Sequence, residues 1–343
     1  MMPVEVVFNP NWWFRNYGIS FDESFYFDRR KRIENDRRMR RALYARFGIG
    51  KPDPEPRPII GSRHVAGGFV IPALLGVKVL FSENQAPWNV PANLGREEIL
   101  AFKPPEIETT WPMNRFIEDM DWLEKEFGRV VGDLNTGGLI NTALELRGQQ
   151  FFVDMLEDPE LVRHLFAVIA ETQMRVVRCI QARTGTSSVS VNRSIVTVDP
   201  AIYVHSNCSV QMISPKLYRA AVWPHERRLA QEVRPFGIHH CGNNLQLYAA
   251  SYAELQPVFC DVGWGSDVAR VSQALPDTFL NLRVDPVRML QRSKEEIQND
   301  VESLLEGVTR GAAKPRFGLC SINMDYGTPD ENVMTLYECA KRR

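Results

Sequence analysis

Short apolar segments alternate with longer amphipathic segments over most of the chain. The short segments have the length and the β-branched and aromatic content of strands, and they span residues 129–134, 188–191, 236–240, 258–262, 279–284 and 316–320. The longer segments have the apolar spacing of helices, and they include residues 151–182, 214–232 and 293–307. Asp158-Pro159 and Ser214-Pro215 are typical helix starts, because a capping side chain precedes a proline at the first helical position. Repeated alternation of strand and helix predicts parallel strands joined by helical crossovers.

Two architectures satisfy this alternation, a closed (β/α)8 barrel and an open doubly wound sheet. No GxGxxG or Walker-type loop follows any of the predicted strands, although such phosphate-binding loops are typical of many open sheets. A chain of 343 residues also has the length of one barrel with insertions. We therefore predict an α/β fold of the (β/α)8 TIM-barrel type.

The first 60 residues have a different pattern. Residues 22–47 contain nine basic and five acidic residues around a helical stripe of apolar positions, and Gly48 and Gly50 end this segment. Residues 51–58, with the sequence KPDPEPRP, have the composition of an extended linker. The mixture of charges favours a solvated, salt-bridged helix over a nucleic-acid-binding surface. We expect an N-terminal helical extension and linker over residues 1–60 and the barrel catalytic domain over residues 61–343.

The overall charge balance excludes some classes of partner. The chain has 41 Lys and Arg residues against 42 Asp and Glu residues, a formal net charge of −1. This balance provides little attraction for nucleic acid or for a membrane surface. The N-terminus has no signal-peptide pattern, and no apolar run approaches the roughly 18 residues needed to span a bilayer. We expect a cytoplasmic protein without a nucleic-acid or membrane partner.

The most specific local feature lies where the predicted strand 236–240 runs into the turn Cys241-Gly242-Asn243-Asn244. Residues i and i+2 of an extended strand project to the same side, so His239 and Cys241 should point together beyond the strand end. An imidazole nitrogen and a thiolate at short distance suit Zn²⁺. In a barrel, this strand end belongs to the catalytic face.

Cys320 lies at the end of the predicted strand 316–320, so it should open onto the same face if both strands belong to one barrel. One histidine and two cysteines would leave a fourth coordination position open, as in catalytic zinc sites. Spacing alone is equally compatible with unconnected packing residues. Cys208, in a polar loop, remains a further candidate ligand. Three other cysteines have the context of packing residues, namely Cys179, Cys260 and Cys339.

The residues around these cysteines resemble a pattern of the uroporphyrinogen decarboxylase superfamily, in its zinc-dependent methyltransferase branch. That pattern has a His-x-Cys-Gly-Asn turn, which residues 239–243 match, and a later cysteine followed by Thr-Pro-x-x-Asn, which Cys320 and residues 328–332 match. The helix starts at 158–162 and 214–218 and the Val-Asp-Pro turn at 284–286 also follow the family order. The resemblance extends over residues 129–340 and implies a (β/α)8 barrel with its site at the carboxyl ends of the strands.

The branch includes methylcobalamin:coenzyme M methyltransferases. In these enzymes a substrate thiol is activated as a zinc-bound thiolate, and a methyl group moves between it and a corrinoid (methylcobalamin) carrier. For this chain the resemblance implies the same chemistry, with Zn²⁺ held by His239, Cys241 and Cys320 and cobalamin carried by a partner protein. The expected partners are a small-molecule thiol or methylated substrate and a corrinoid protein. The candidate cofactor-binding residues are Asn207, Asn243 and Arg283.

Two departures from the family narrow this expectation. The Arg-Gln-Ala-Gly-Arg and Phe-Ser-Asp signatures of the decarboxylases are absent from the sequence, which disfavours a uroporphyrinogen decarboxylase-like activity. Before Val284 the family usually has Gly-Asn, whereas this chain has Leu282-Arg283. Arg283 could contact an anionic group of a substrate, or it could pair with a neighbouring acid.

Two rival functions remain open at this point. An epoxyalkane:coenzyme M transferase would keep the zinc ion and the thiol and would use an epoxide as the electrophile. A non-catalytic barrel that binds a corrinoid or another tetrapyrrole would need no metal. Metal content and turnover of methylcobalamin discriminate among these functions.

Overall fold

The computed structural model describes residues 2–62, 68–132, 134–185 and 202–342. Six parallel strands form one continuous sheet, in the order β1-β8-β7-β6-β5-β4, and β2 and β3 form a separate antiparallel hairpin. The strands are β1 (Val4–Phe8), β2 (Lys78–Ser82), β3 (Gln85–Val90), β4 (Tyr203–Asn207), β5 (Phe236–His240), β6 (Phe259–Val262), β7 (Phe279–Arg283) and β8 (Arg316–Met324). The first and the last strand of the chain are neighbours, as a barrel requires.

Two further strand positions lie between β1 and β4 in the chain. Ile59 and Val131 form an isolated parallel bridge, with hydrogen bonds from Ile60 N to Val131 O (3.0 Å) and from Val131 N to Pro58 O (2.8 Å). With the six strands of the continuous sheet, these positions give eight strand positions in chain order in the described part of the chain. The (β/α)8 fold class predicted from the sequence is therefore confirmed.

Helices connect the strands. They are α1 (Pro10–Tyr17), α2 (Glu23–Phe27), α3 (Arg29–Phe47), α4 (Val70–Leu74), α5 (Arg96–Leu100), α6 (Met113–Phe127), α7 (Leu139–Arg147), α8 (Gln150–Glu157), α9 (Pro159–Thr184), α10 (Pro215–Leu217), α11 (Trp223–Glu232), α12 (Ala249–Ala253), α13 (Val268–Ala274), α14 (Pro286–Gln291), α15 (Lys294–Gly311) and α16 (Asp330–Lys341). None of the helices in the described ranges is long and apolar enough to cross a membrane.

The local signals for helix starts work as the sequence predicts. The Asp158 side chain accepts a hydrogen bond from Leu161 N, and Pro159 occupies the first helical position of α9. The predicted helix over residues 151–182 is therefore two helices that meet at Asp158. Ser214 caps α10 in the same way, and a π-helical turn (Tyr218–Val222) joins α10 to α11.

The N-terminal 60 residues do not form a unit separate from the sheet. β1 pairs with β8 from Val4↔Leu319 to Phe8↔Met324, so the predicted boundary after residue 60 excludes a strand that belongs to the barrel. The segment has the local signal of a strand, since β-branched and aromatic residues at 4–8 lie between Pro3 and Pro10, but its partner in β8 lies more than 300 residues away. The predicted helix is present as α3, whose Arg32 forms a buried ion pair with Asp119 at 2.6 Å.

Three other predicted strands are not matched in full by strands of the structure. The predicted strand 129–134 is reduced to the bridge at Val131, and the segment 188–191 lies outside the described residues. The strand predicted to end at Cys320 continues to Met324, and in this extension Ser321, Ile322 and Met324 are buried while Asn323 is exposed. Cys320 therefore lies within β8 and not at its tip, which corrects the expected strand-end position.

The inward face of the sheet is layered along the strands. Its lowest layer is a small apolar cluster of Ile202, Val204, Phe259 and Phe279. Above it lies a polar layer, in which His239 pairs in register with Asp261 and Asp261 with Asn281. All three polar residues are buried. The next level, at the carboxyl ends of β4, β5 and β7, contains the candidate functional residues.

Candidate metal site

Cys208, His239 and Cys241 come together at the carboxyl ends of two neighbouring strands. Their ligand atoms all lie within 4.8 Å of one another. Cys208 is the first residue after β4 and Cys241 is the first residue after β5. The last residues of the two strands, Asn207 and His240, are register partners, so both cysteines leave the sheet at the same level.

A hydrogen bond to Asp261, on the side of the ring away from the cysteines, fixes the orientation of His239. Its Nδ1 lies 2.6 Å from Asp261 Oδ2, and Asn281 Nδ2 donates to the other carboxylate oxygen at 2.9 Å. Because the carboxylate accepts the Nδ1 proton, the lone pair of Nε2 faces the cysteines. Burial lowers the pKa of His239, but hydrogen bonds with Asp261 and Cys241 and the Asp261 charge raise it, and the net shift is upward.

The pKa values of the two cysteine thiols are shifted in opposite directions. A hydrogen bond from Cys208 lowers the pKa of Cys241 against the opposing effect of burial, and His239 and Arg283 lower it further. The same hydrogen bond and burial raise the pKa of Cys208. Cys241 is therefore the thiolate of the pair and Cys208 the thiol that donates to it.

This donor set fits Zn²⁺. A tetrahedral zinc ion with bonds of about 2.3 Å to sulfur and 2.0–2.1 Å to nitrogen places its ligand atoms roughly 3.5–3.8 Å apart. The three ligand atoms already lie within 4.8 Å, so small side-chain rotations suffice to reach this spacing. Two sulfurs and one imidazole nitrogen are also the ligand types that a borderline-soft cation prefers.

Cys320, the third ligand expected from the sequence, does not join this group in the described part of the chain. It lies fully buried in β8, opposite Arg283 of β7 in register, and β6 and β7 separate β8 from β5. The structure thus brings Cys208 to His239 and Cys241. A ligand role for Cys320 stays a prediction.

Arg283 adjoins the three-residue cluster. Its Nη1 lies 3.4 Å from Cys241 Sγ and 3.5 Å from His239 Nε2, and its guanidinium carbon lies 4.6 Å from the centre of the Trp264 ring. Burial lowers the pKa of Arg283, but the charges of Cys241, Cys320 and Asp261 outweigh that effect and the net shift is upward. A permanently charged guanidinium therefore faces the sulfur atoms.

The two asparagines predicted to bind a cofactor lie in different environments. Asn243 is exposed in the turn after Cys241. Asn207 is buried, and its Nδ2 donates to Tyr252 Oη at 3.1 Å on the helical side of the sheet. Tyr252 Oη lies 2.9 Å from His240 Nδ1, and His240 Nε2 lies 3.1 Å from Asn244 Oδ1. This chain of hydrogen bonds connects the last residues of β4 and β5, which directly precede Cys208 and Cys241, and it continues to Asn244 in the turn after β5.

Close backbone approach also shapes these turns. A Cβ atom on Gly263, directly after β6, would lie 2.1 Å from Gly242 O and 2.7 Å from Cys241 O. Only glycine allows the turn after β6 to pack against the turn that carries Cys241.

The family model of Uroporphyrinogen decarboxylase (URO-D) matches residues 66–343 of the chain. The chain belongs to the URO-D family. Among solved structures, this URO-D family member is similar to a methyltransferase from Methanosarcina mazei, with 14% identity and a TM-score of 0.66 over 99% of this chain and 94% of that one. A B12-independent methionine synthase from Shewanella sp. W3-18-1, in complex with selenomethionine, has 10% identity and a TM-score of 0.41 over 66% of this chain and 67% of the other. The comparison with curated proteins finds no match.

Asp261 was not among the site residues predicted for this URO-D chain, and Cys208 was only a further candidate ligand. Asp261 carried a signal, because it is an acid within the otherwise apolar strand Phe-Cys-Asp-Val of β6. Cys208 carried a weaker signal, since its approach to Cys241 follows only from the register of β4 against β5.

Proposed function

We propose that this URO-D family protein is a zinc-dependent methyltransferase that moves a methyl group between a small-molecule thiol and a corrinoid carrier. The observation that carries the proposal is the meeting of Cys208, His239 and Cys241 at the carboxyl ends of parallel strands. The residue pattern shared with the methyltransferase branch supports it, as does the fold shared with the Methanosarcina mazei protein. A bound Zn²⁺ lowers the pKa of a coordinated thiol, so that a thiolate is available at neutral pH.

The protein's own groups prepare the site for that chemistry. Asp261 holds the proton of His239 on Nδ1 and directs Nε2 toward the sulfurs. Cys241 and, after loss of its proton, Cys208 provide two negative charges that offset a dication, which keeps a substrate sulfur electron-rich. His239 and Asp261 are both buried, so water does not compete for the hydrogen bond between them.

The proposed reaction balances without a further reactant. The substrate thiolate would attack the methyl group donated by the corrinoid carrier, so that a sulfur–carbon bond would form and the electron pair of the broken cobalt–carbon bond would remain with the carrier. The thiol proton leaves to solvent. In the reverse direction a thioether gives its methyl group to the reduced corrinoid.

The test combines zinc content with turnover of methylcobalamin in the wild-type protein and in single variants. We expect Cys208→Ser and Cys241→Ser to lose most zinc and most activity, while Cys179→Ser in α9 serves as the matched control. Full zinc retention in both site variants would refute the proposed centre. Loss of zinc from Cys320→Ser with retention in Cys208→Ser would instead establish the ligand set expected from the sequence. Consumption of an epoxide without any turnover of methylcobalamin would identify the rival transferase.

A further inference from the structure

Cys208 and Cys241 lie beside each other at the ends of neighbouring strands. Cys208 directly follows β4 and Cys241 directly follows β5, and the residues before them, Asn207 and His240, are register partners. Neighbouring strands lie about 4.7–4.9 Å apart, and the Cα atoms of disulfide-bonded cysteines lie about 4.4–6.8 Å apart. The register of β4 and β5 therefore gives the two cysteines a backbone spacing that is suitable for a disulfide bond.

The sulfur atoms of the pair converge from this spacing. The Sγ atoms of Cys208 and Cys241 lie within 4.8 Å of each other, beside the imidazole of His239. A disulfide bond is about 2.05 Å long, so the two sulfurs have to approach each other by less than about 3 Å. Rotation of the two side chains about their Cα–Cβ bonds provides a movement of this size.

The segments that follow the two strands are also in direct contact. Tyr248, after β5, donates a hydrogen bond from Oη to Ile213 O at 2.6 Å in the loop after β4. A Cβ atom on Gly242, the residue after Cys241, would lie 2.5 Å from Gln211 Oε1 of the same loop. Disulfide formation therefore requires no separate approach of the two segments.

Exposure and charge distinguish this pair from the other cysteines. Half of the protein's six cysteines are buried, and the partly exposed ones are Cys179, Cys208 and Cys241. Oxidation of a cysteine is favoured by exposure, by a cation beside the sulfur and by a second cysteine that captures the sulfenic acid. Arg283 Nη1 lies 3.4 Å from Cys241 Sγ and is such a cation. Cys241 therefore has all three features, with Cys208 as the second cysteine.

We propose that Cys208 and Cys241 form a redox modification site, at which hydrogen peroxide converts the metal-free pair into a reversible disulfide. The Cys241 sulfur attacks a peroxide oxygen, the oxygen–oxygen bond breaks, Cys241 becomes a sulfenic acid, and water leaves. The Cys208 sulfur then attacks the sulfenic sulfur, and a sulfur–sulfur bond forms. The sulfenic hydroxyl group leaves with the Cys208 proton as a second water. The two thiols are thus oxidised by two electrons, and the peroxide is reduced to water.

The disulfide and a metal ion exclude each other at this site. The sulfur–sulfur bond uses both sulfurs of the proposed metal centre and leaves His239 as the one remaining donor of the three. A metal ion bound to both sulfurs blocks their oxidation in turn. This exclusion rests on the proposed function for the metal, whereas the disulfide requires only the pair. The pair thus makes metal loading depend on reducing conditions, and Cys208 protects Cys241 from irreversible oxidation beyond the sulfenic acid.

The test treats the full-length, metal-free protein with hydrogen peroxide and follows its intact mass and its peptide map. We expect the loss of two hydrogen atoms and a cross-linked peptide that contains Cys208 and Cys241, both reversed by a phosphine reductant. Cys208→Ser should form no disulfide and should instead accumulate a sulfenic acid on Cys241, which dimedone traps. Cys179→Ser removes another partly exposed cysteine and should form the disulfide as the wild-type protein does.

The same assay measures protection by the metal. With free Zn²⁺ held at about 100 times its dissociation constant, about one molecule in a hundred is metal-free, so disulfide formation should slow by about a hundredfold.

Different outcomes separate the modification site from the proposed function. A metal-free wild-type protein that forms no cross-link, or one that joins Cys241 to Cys320 instead, would overturn the modification site, and this result needs no variant to fold. Zinc binding that leaves the rate of cross-linking unchanged would overturn the proposed metal centre and leave the modification site standing. Loss of the cross-link in Cys179→Ser would also count against the assigned pair.

Discussion

Asp261 should control metal affinity without touching the metal. Its carboxylate accepts from His239 Nδ1 at 2.6 Å and from Asn281 Nδ2 at 2.9 Å, and all three side chains are buried. In Asp261→Asn, one orientation of the new amide places its NH2 group against that of Asn281. The other orientation places the NH2 group against Nδ1 and forces the imidazole proton onto Nε2, where it blocks the metal-binding lone pair. The substitution is nearly isosteric, so its effect is electronic.

The expected magnitude follows from the hydrogen bond that is lost. A hydrogen bond to a charged group contributes about 1.5–3 kcal/mol and a neutral one about 1 kcal/mol, so the change costs about 0.5–2 kcal/mol. That corresponds to an affinity for zinc that is weaker by about two- to thirtyfold, and its upper part overlaps the roughly 10–100-fold effects of changing the partners of metal ligands.

The assay is competition for zinc between the protein and a chelating indicator at pH 8. Because the pKa of His239 is raised, measurement at high pH keeps proton competition from masking the effect. Asp267→Asn is the matched control, since it makes the same exchange at the exposed N-cap of α13. An affinity of Asp261→Asn within twofold of that of the control would refute the role assigned to the carboxylate.

Three further changes test other parts of the structure. Tyr252→Phe removes the hydroxyl group that bonds His240, and it should cost about 1–3 kcal/mol of stability and weaken zinc binding, measured by denaturant unfolding and indicator competition. Gly263→Ala places a Cβ 2.1 Å from Gly242 O, so the turn must move and zinc content should fall by more than half in metal analysis. Burial raises the pKa of Glu145 from 4.5 to about 7, so the folded protein binds more protons between these values and loses stability as pH rises through them. Glu145→Gln should therefore raise the melting temperature at pH 8 by an amount corresponding to at most about 3 kcal/mol, and leave it unchanged near pH 4.5.

The sequence predicts the barrel better where signals are local. The bounds of β5 agree with prediction, and β7 differs by one residue, because strongly apolar strands are flanked by glycine or proline turns. β1 has a local strand signal in the β-branched and aromatic residues at 4–8, but its place beside β8 depends on a segment more than 300 residues away. In β8, the polar Ser321 and Asn323 are compatible with a turn as well as with an alternating strand, so the residue types alone do not determine where the strand ends.

In the candidate site, too, local sequence predicts some features, whereas others depend on how distant strands pair. Placing His239 and Cys241 on one side needs only the two-residue repeat of a strand, and the structure agrees. Choosing between Cys208 and Cys320 as the third ligand needs the register of strands that are far apart in the chain. A cysteine directly after the neighbouring strand meets Cys241 through a single pairing of strands, whereas Cys320 is separated from it by two intervening strands.

The position of Arg283 gives this choice of ligand a physical basis. Arg283 is the register partner of Cys320, and its Nη1 lies 3.4 Å from Cys241 Sγ. A metal held by Cys241 and Cys320 together would have to pass across Arg283 on β7, whereas Cys208 approaches Cys241 from β4, on the side of β5 that faces away from β7. Arg283, which departs from the family pattern, therefore favours Cys208 over Cys320 as the third ligand.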